Sequence, residues 1–392
     1  MHPPVDLARR RLLATFGVGV AATLAGARLD PQVGAQQPLR LVLLVPEDAL
    51  PPDRISSVVD AVRLAIADGT ATLGGTKAAL QVVPVARNMA AAEHWSRTAE
   101  STQAPSVVVL ALTSPELLDW LSQGRVTAHD PWILLSATKG GSVLPLPPRM
   151  LQVGRDDIAI AHTIARAPLV RTGRTLVLSA RDPRSVRIER ALRARMGDST
   201  TWATVRAEPS VEAMAERLSG VRAQRLVLNV SPAAAAGWIP ALRPLLRRAD
   251  ISVVATQWNE ATLPLELQEK LAGLLWVSTW HPSMGGSERN WARRHRSLTG
   301  LVPGDAEAAA YSAAFLAVTS AGPNAATVSA GQLRQAVVRD IFVDAQRFGK
   351  DGCLPHGTQL RRLQAGRDKF GWGSQQLIAV SSPEEAFADR RT

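Results

Sequence analysis

The chain carries seven histidines, one cysteine and 34 acidic residues, and few of them are spaced for shared chemistry. No two histidines fall three or four residues apart, the spacing that would set metal ligands on one face of a helix. There is no G-x-S-x-G, H-E-x-x-H or C-x-x-C, no Walker loop, and no G-x-G-x-x-G after a strand. Asp156-Asp157 stands at the head of a helical pattern, where N-terminal placement in the helix dipole accounts for it better than acid–base chemistry does. His281, followed by Pro282, and His295 read as surface or hinge residues. Cys353 lies in a Gly-rich loop, reads as a small filler, and has no partner for an intramolecular disulfide. No catalytic residue, metal or cofactor is expected, and the chain does not read as an enzyme.

The elements that would position any other site are easier to read. Leu39 to Val45 is a continuous apolar run, the pattern of a strand buried on both faces. Ile55, Val58, Val59, Val62 and Ile66 then fall at helical spacing on one face. Strands follow at 81–85, 106–112 and 132–135, with helices between them near 90–100 and from Ser114. Alternation of this kind implies right-handed crossovers and a parallel sheet covered by helices on both faces. Pro84 has no N–H for a ladder, so its strand belongs at an edge, as the second strand is in a 2-1-3-4-5 order. Pro-rich residues after the fourth strand lead through 152–155 to a new helix near Asp156-Asp157, the expected crossing into a second lobe. There the alternation repeats, with strands at 174–180, 202–205 (an edge), 225–230, 251–255 and 274–278. VVVLALTSPELLDW from Val107 and LVLNVSPAAAAGW from Leu226 correspond, each a strand, a Ser-Pro helix start and a helix ending in Trp120 or Trp238, both read as core positions. Helices close the chain at 288–298, 305–321 and 329–339, before short strands at 359–364 and 376–380.

A hydrophobic share of 46% against 20% charged residues is that of a folded chain and rules out general disorder. The net charge of +11 comes almost entirely from arginine. Those arginines are scattered except at Arg289 to Arg296, read as a solvated helix face with Trp291 and Leu298 as its apolar members. With no aromatic tract for base stacking, a nucleic-acid partner is not expected. Arg9-Arg10-Arg11, the apolar run Phe16 to Ala27 and the small residues Val33-Gly34-Ala35 have the layout of an export signal of twin-arginine type, although Ala8 and Ala14 depart from it. Cleavage is expected near Ala35, giving a periplasmic product.

The order of elements and several stretches resemble type I periplasmic solute-binding proteins of the branched-chain amino acid and amide group. Ser136-Ala137-Thr138 matches that family's Ser-x-Thr turn after the fourth strand. Arg155 with Asp156-Asp157 matches its first crossing without the aromatic residue. Ala308-Ala309-Ala310-Tyr311-Ser312-Ala313-Ala314 resembles its Ala-rich Tyr helix, and Phe348-Gly349-Lys350-Asp351-Gly352 its tail turn. The resemblance spans roughly 38–381. Val45 to Pro52 replaces the family's Gly-rich first loop, and Asp182-Pro183-Arg184-Ser185 replaces its Tyr-Gly.

The resemblance implies two Rossmann-like α/β lobes with parallel sheets joined by a three-strand hinge. It divides the chain into 1–35 (signal), 36–154 plus 283–338 (N-terminal lobe), 155–282 plus 339–381 (C-terminal lobe) and 382–392 (tail), with hinge strands near 150–156, 279–284 and 338–346. It also implies a ligand held beyond the carboxyl ends of both sheets. Thr113, Ser114, Ser136, Ala137 (through its N–H) and Thr138 are its candidates in the first lobe; Ser114 suits a plain N-cap equally well. Asp182, Ser231, Trp258 and Glu260 are the candidates in the second lobe, an acid to meet an amine and an indole to stack. The implied function is capture of an amino acid, amide or related carboxylate by a monomer that delivers it to the permease subunits of an ABC importer. The alternative is an exported sensor or accessory protein of the same fold.

Overall fold

In the computed structural model the described residues are 38–381, apart from 48–51, 74–77, 87–88, 102–106, 112–116, 118–119, 122–131, 136–149, 155–156, 168–172, 206–209, 249–250, 257–269, 279–285, 322–329, 344, 351, 356 and 368–372. They form two helix-covered sheets.

The first sheet holds β1 (Leu39–Pro46), β2 (Ala78–Val85), β3 (Val107–Ala111), β4 (Trp132–Leu135) and β5 (Met150–Gln152), in the order β2-β1-β3-β4-β5. Every pairing in it is parallel. Pro84 lies on the edge strand, as its missing N–H requires. The residues of β1 alternate between two cores. Leu39, Leu41, Leu43 and Val45 meet α1 (Pro52–Leu73) and the later α8 (Asp305–Ala321), while Val42 and Leu44 meet Ala92 and Trp95 of α2 (Ala90–Ser101) and Trp120. Burial on both faces is why β1 reads as an unbroken apolar run.

The second sheet follows α3 (Asp157–Arg166) and contains β6 (Thr175–Ser179), β7 (Thr200–Thr204), β8 (Arg225–Asn229), β9 (Ser252–Ala255) and β10 (Leu275–Ser278). Its helices are α4 (Pro183–Arg193), α5 (Val211–Val221) and α6 (Pro232–Arg248). Two late strands, β13 (Thr358–Arg367) and β14 (Gly373–Ser381), extend it antiparallel beyond β10, giving the order β14-β13-β10-β9-β8-β6-β7. The β7 strand is an edge, as expected, and the sheet is parallel except on its β13–β14 flank. Leu176 and Leu178 pack beside Leu218 of α5 and Leu242 of α6, and Val177 beside Ile160 of α3 and Ile188 of α4.

Between β10 and β13 the chain returns to the first sheet as α7 (Gly286–Thr299), α8, α9 (Ala330–Gln335) and the ribbon β11 (Val337–Val338) and β12 (Gln346–Arg347). Leu333, Val338, Val343 and Leu354 all belong to the core cluster that contains β1. The last passage between sheets therefore lies at 354–358, downstream of the 338–346 read from sequence.

Two residues of α7 also differ from expectation. His295 is fully buried rather than on the surface, while Leu298, expected on the apolar face, is 62% exposed. Trp291 stacks near His295, with ring centroids 5.3 Å apart, and the Ser57 backbone oxygen lies 3.0 Å from His295 Nε2. No helix among the described residues is long and apolar enough to cross a membrane.

Candidate functional site

Parallel strands aligned in one direction leave their following loops and helix N-termini at one edge of the sheet. In the second sheet β6 and β8 are adjacent and end in register, Ser179 opposite Asn229. Beyond them α4 starts at Pro183 and α6 at Pro232. Asp182 and Ser231, two of the expected ligand residues, occupy the positions just before those helices and are exposed. The sheet thus brings these two to one edge.

Asp182 is committed to its own helix. Its Oδ1 accepts the N–H groups of Arg184 (3.1 Å) and Ser185 (3.0 Å), and its Oδ2 accepts the Ser185 hydroxyl at 2.5 Å. This is an N-cap in full use.

Beneath it runs a buried polar network. Asn229 Nδ2 donates to Ser179 Oγ (3.1 Å) and to the Ser185 carbonyl (2.6 Å), and Asn229 Oδ1 accepts the Thr256 hydroxyl at 2.8 Å. Asn229, Thr256 and Ser185 are fully buried. The ends of β6, β8 and β9 are therefore tied to the first turn of α4, so that turn cannot shift independently of the sheet.

The same turn carries a charged cluster that the sequence reading did not single out. Arg184 Nε lies 3.0 Å from Oδ1 of Asp157, which opens α3. Arg187 Nε lies 3.7 Å from Asp157 Oδ2, an ion pair too long for a hydrogen bond. The carboxylate side chain is 4% exposed, and the two guanidinium side chains 11% and 30%. Arg184 Nη2 and Arg187 Nε and Nη2 are buried without a hydrogen-bond partner among the described residues. The overlooked signal was two arginines three residues apart in the opening turns of a helix with no acid in its first turn, the end where the dipole disfavours cations.

Thr113, Ser114, Ser136, Ala137, Thr138, Trp258 and Glu260 lie outside the described residues. In the chain they follow β3, β4 and β9, and β3 and β4 are paired neighbours in the first sheet. Among the described residues no group of three or more His, Cys, Asp or Glu side chains gathers as a metal site.

No family model matches the chain, and no curated protein matches it in sequence. Solved structures do match it along nearly their whole length. A branched-chain amino acid ABC transporter periplasmic ligand-binding protein from Burkholderia xenovorans LB400 is 15% identical, with 89% of this chain and 96% of that one aligned at a TM-score of 0.72. A leucine-binding protein from Thermotoga maritima MSB8 is 12% identical over 88% and 99%, at 0.66. An ABC transporter solute-binding protein from Rhodopseudomonas palustris BisB5, solved with 3,4-dihydroxybenzoic acid, is 12% identical over 88% and 97%, at 0.64. The fold is that of the type I periplasmic binding proteins.

Proposed function

We propose that the chain is an exported, monomeric solute-binding protein that captures a small amino acid, amide or related carboxylate and delivers it to the permease of an ABC importer. The observation that carries this reading is the edge at the ends of β6 and β8, where Asp182 and Ser231 stand exposed on a network that fixes the first turn of α4. Such an edge is where open α/β sheets bind ligands. Support comes also from a fold match that spans nearly the full length of proteins described as ligand-binding components of ABC transporters. On this reading Ser136, Ala137, Thr138, Thr113 and Ser114 hold the ligand from the first lobe, and Asp182, Ser231, Trp258 and Glu260 from the second. The lobes comprise 36–154 and 155–282, each completed by later segments of the chain. Residues 1–35 direct export, and the ligand favours a closed arrangement of the lobes.

A thermal-shift screen against amino acids, their amides and aromatic acids tests the reading. A ligand at 100 times its dissociation constant adds about 2.7 kcal/mol of stability. A reproducible hit supports solute binding. A folded protein that no probe stabilises favours the second reading, a sensor or accessory protein of this fold. That alternative draws on the departure at Val45 to Pro52 from the family's Gly-rich loop and on the engagement of Asp182 in its own cap.

A further inference from the structure

The opening turns of α4 are electrostatically incomplete. Two guanidinium groups share one carboxylate, Asp157, among the described residues. Three of their nitrogens are buried without a hydrogen-bond acceptor among the described residues. They stand in the opening turns of a helix whose cap, Asp182, is its one N-terminal carboxylate among the described residues, and the dipole there adds to the positive potential of the two arginines. Buried donors on a charged group are costly to leave unmet, and native proteins provide them with a partner. What these three nitrogens lack, among the described residues, is an acceptor.

We propose that Arg184 and Arg187 form an anion seat that receives the carboxylate of the solute. The seat deepens the function proposed above, and rests on it for the identity of the ligand. Three features shape it for a carboxylate. The planar guanidinium fork matches two carboxylate oxygens. Asp157 holds Arg184 through Nε, leaving Nη2 for another acceptor. The turn that carries both arginines is fixed by the Asn229 bond to the Ser185 carbonyl and by the Asp182 cap, so the donors are preorganised. Both arginines lie in the opening turns of α4, the helix that Asp182 caps, and this ties the seat to the proposed ligand site. Arg184 and Arg187 thereby become ligand-contacting groups, and Asp157 a positioning residue. A solute with a carboxylate fits; its neutral amide leaves the same donors unmet.

The experiment uses the full chain and matched probes: benzoate with benzamide, and L-leucine with L-leucinamide, followed by calorimetry. A second arm follows thermal melting in sulfate and in chloride at equal ionic strength. Arg187→Gln is the informative variant, because Arg184→Gln would also break the buried pair with Asp157. Arg187→Lys retains the charge without the fork. The expected result is that a carboxylate binds, its amide binds at least about tenfold more weakly, and Arg187→Gln loses at least about tenfold, roughly 1.4 kcal/mol, with Arg187→Lys between. Equal binding of acid and amide, or an unchanged affinity in Arg187→Gln, overturns the seat and leaves solute binding intact. If no organic probe binds, the solute reading fails and the sulfate arm decides for the seat. A sulfate-specific rise in melting temperature present in the wild type and absent in Arg187→Gln supports it; no rise, or the same rise in both, overturns it.

Discussion

Gln152 and Cys353 pair as parallel bridge partners although 201 residues separate them. Gln152 N–H donates to the Gly352 carbonyl at 2.9 Å, and Leu354 N–H to the Gln152 carbonyl at 2.9 Å. Two passages between the sheets, one after β5 and one before β13, thus depart from a single paired point. Val153 and Leu354, which flank that point, both belong to the core cluster that contains β1.

The thiol of Cys353 reports on that point. It is 2% exposed and lies 3.9 Å from Gln152 Oε1. A reagent reaches it only through local opening. An opening free energy of about 3 kcal/mol makes its reaction with a disulfide reagent roughly 100-fold slower in the native protein than in denaturant. A ligand that favours closure should slow it further. Equal rates with and without denaturant would show that the bridge is not maintained in solution.

Asp157→Asn should be among the more damaging single changes outside the apolar cores. It removes the carboxylate that faces two largely buried guanidinium groups. Breaking a buried pair from one side typically costs about 3–5 kcal/mol. Asp182→Ala, which removes only a cap on the exposed edge, should cost about 1 kcal/mol. Urea unfolding followed by tryptophan fluorescence ranks the two. A loss at Asp157 no larger than that at Asp182 would mean that solvent or a bound ion already compensates the arginines.

Asp340 should make stability depend on pH. Burial pushes its carboxyl above the ordinary value of 3.8, outweighing the Ser312 hydroxyl and the Phe342 and Val343 N–H groups that draw it down. Its Oδ1 accepts those two N–H groups at 2.7 and 2.9 Å. The folded state holds this proton more tightly than the unfolded chain does. The contribution is therefore fully present below 3.8 and is lost as pH rises through the raised folded value. Asp340→Asn retains an oxygen for the two N–H groups and carries no charge. The difference in melting temperature, variant minus wild type, should grow in the variant's favour as pH rises from the acid range toward neutrality. A difference that is flat with pH would place no buried charge at Asp340.

Much of this architecture was legible because it is written in local pattern. Pro84 by itself placed β2 at an edge, and the double-sided burial of β1 follows from an apolar run without alternation. The pairing of β13 with β10 was not legible, since Leu360 opposite Val277 is a contact across 83 residues. The interior position of His295 is of the same kind: it depends on the Ser57 backbone oxygen, 238 residues away, and on the Trp291 ring. The positions of Asp182 and Ser231 just before α4 and α6 were legible because strand ends are. Arg184 and Arg187 were not, because a scattered arginine gains meaning only when its partners can be counted. The cap that Asp182 makes to Arg184 and Ser185 is a contact within its own helix start.

The contact between α1 and α8 offers a test of packing. Gly69 of α1 is buried against α8, and a Cβ built there would stand 2.9 Å from Val318 Cγ1 and 3.1 Å from Val318 Cβ. Val318 is fully buried and β-branched, so its χ1 has little room to yield. Gly69→Ala gains about 1 kcal/mol of helix propensity but adds a methyl to a filled interface, which costs about 1–3 kcal/mol. The variant should therefore be neutral to destabilised by about 2 kcal/mol, less stable than its helix propensity alone would give. Val318→Ala makes room at the expense of buried surface. Combined, the two should be more stable than the sum of their separate effects, with a coupling of at least about 0.5 kcal/mol. Denaturant unfolding of the four proteins gives that coupling directly. Simple additivity, with Gly69→Ala stabilising on its own, would mean that α1 and α8 have slack between them and that glycine is not needed for their approach.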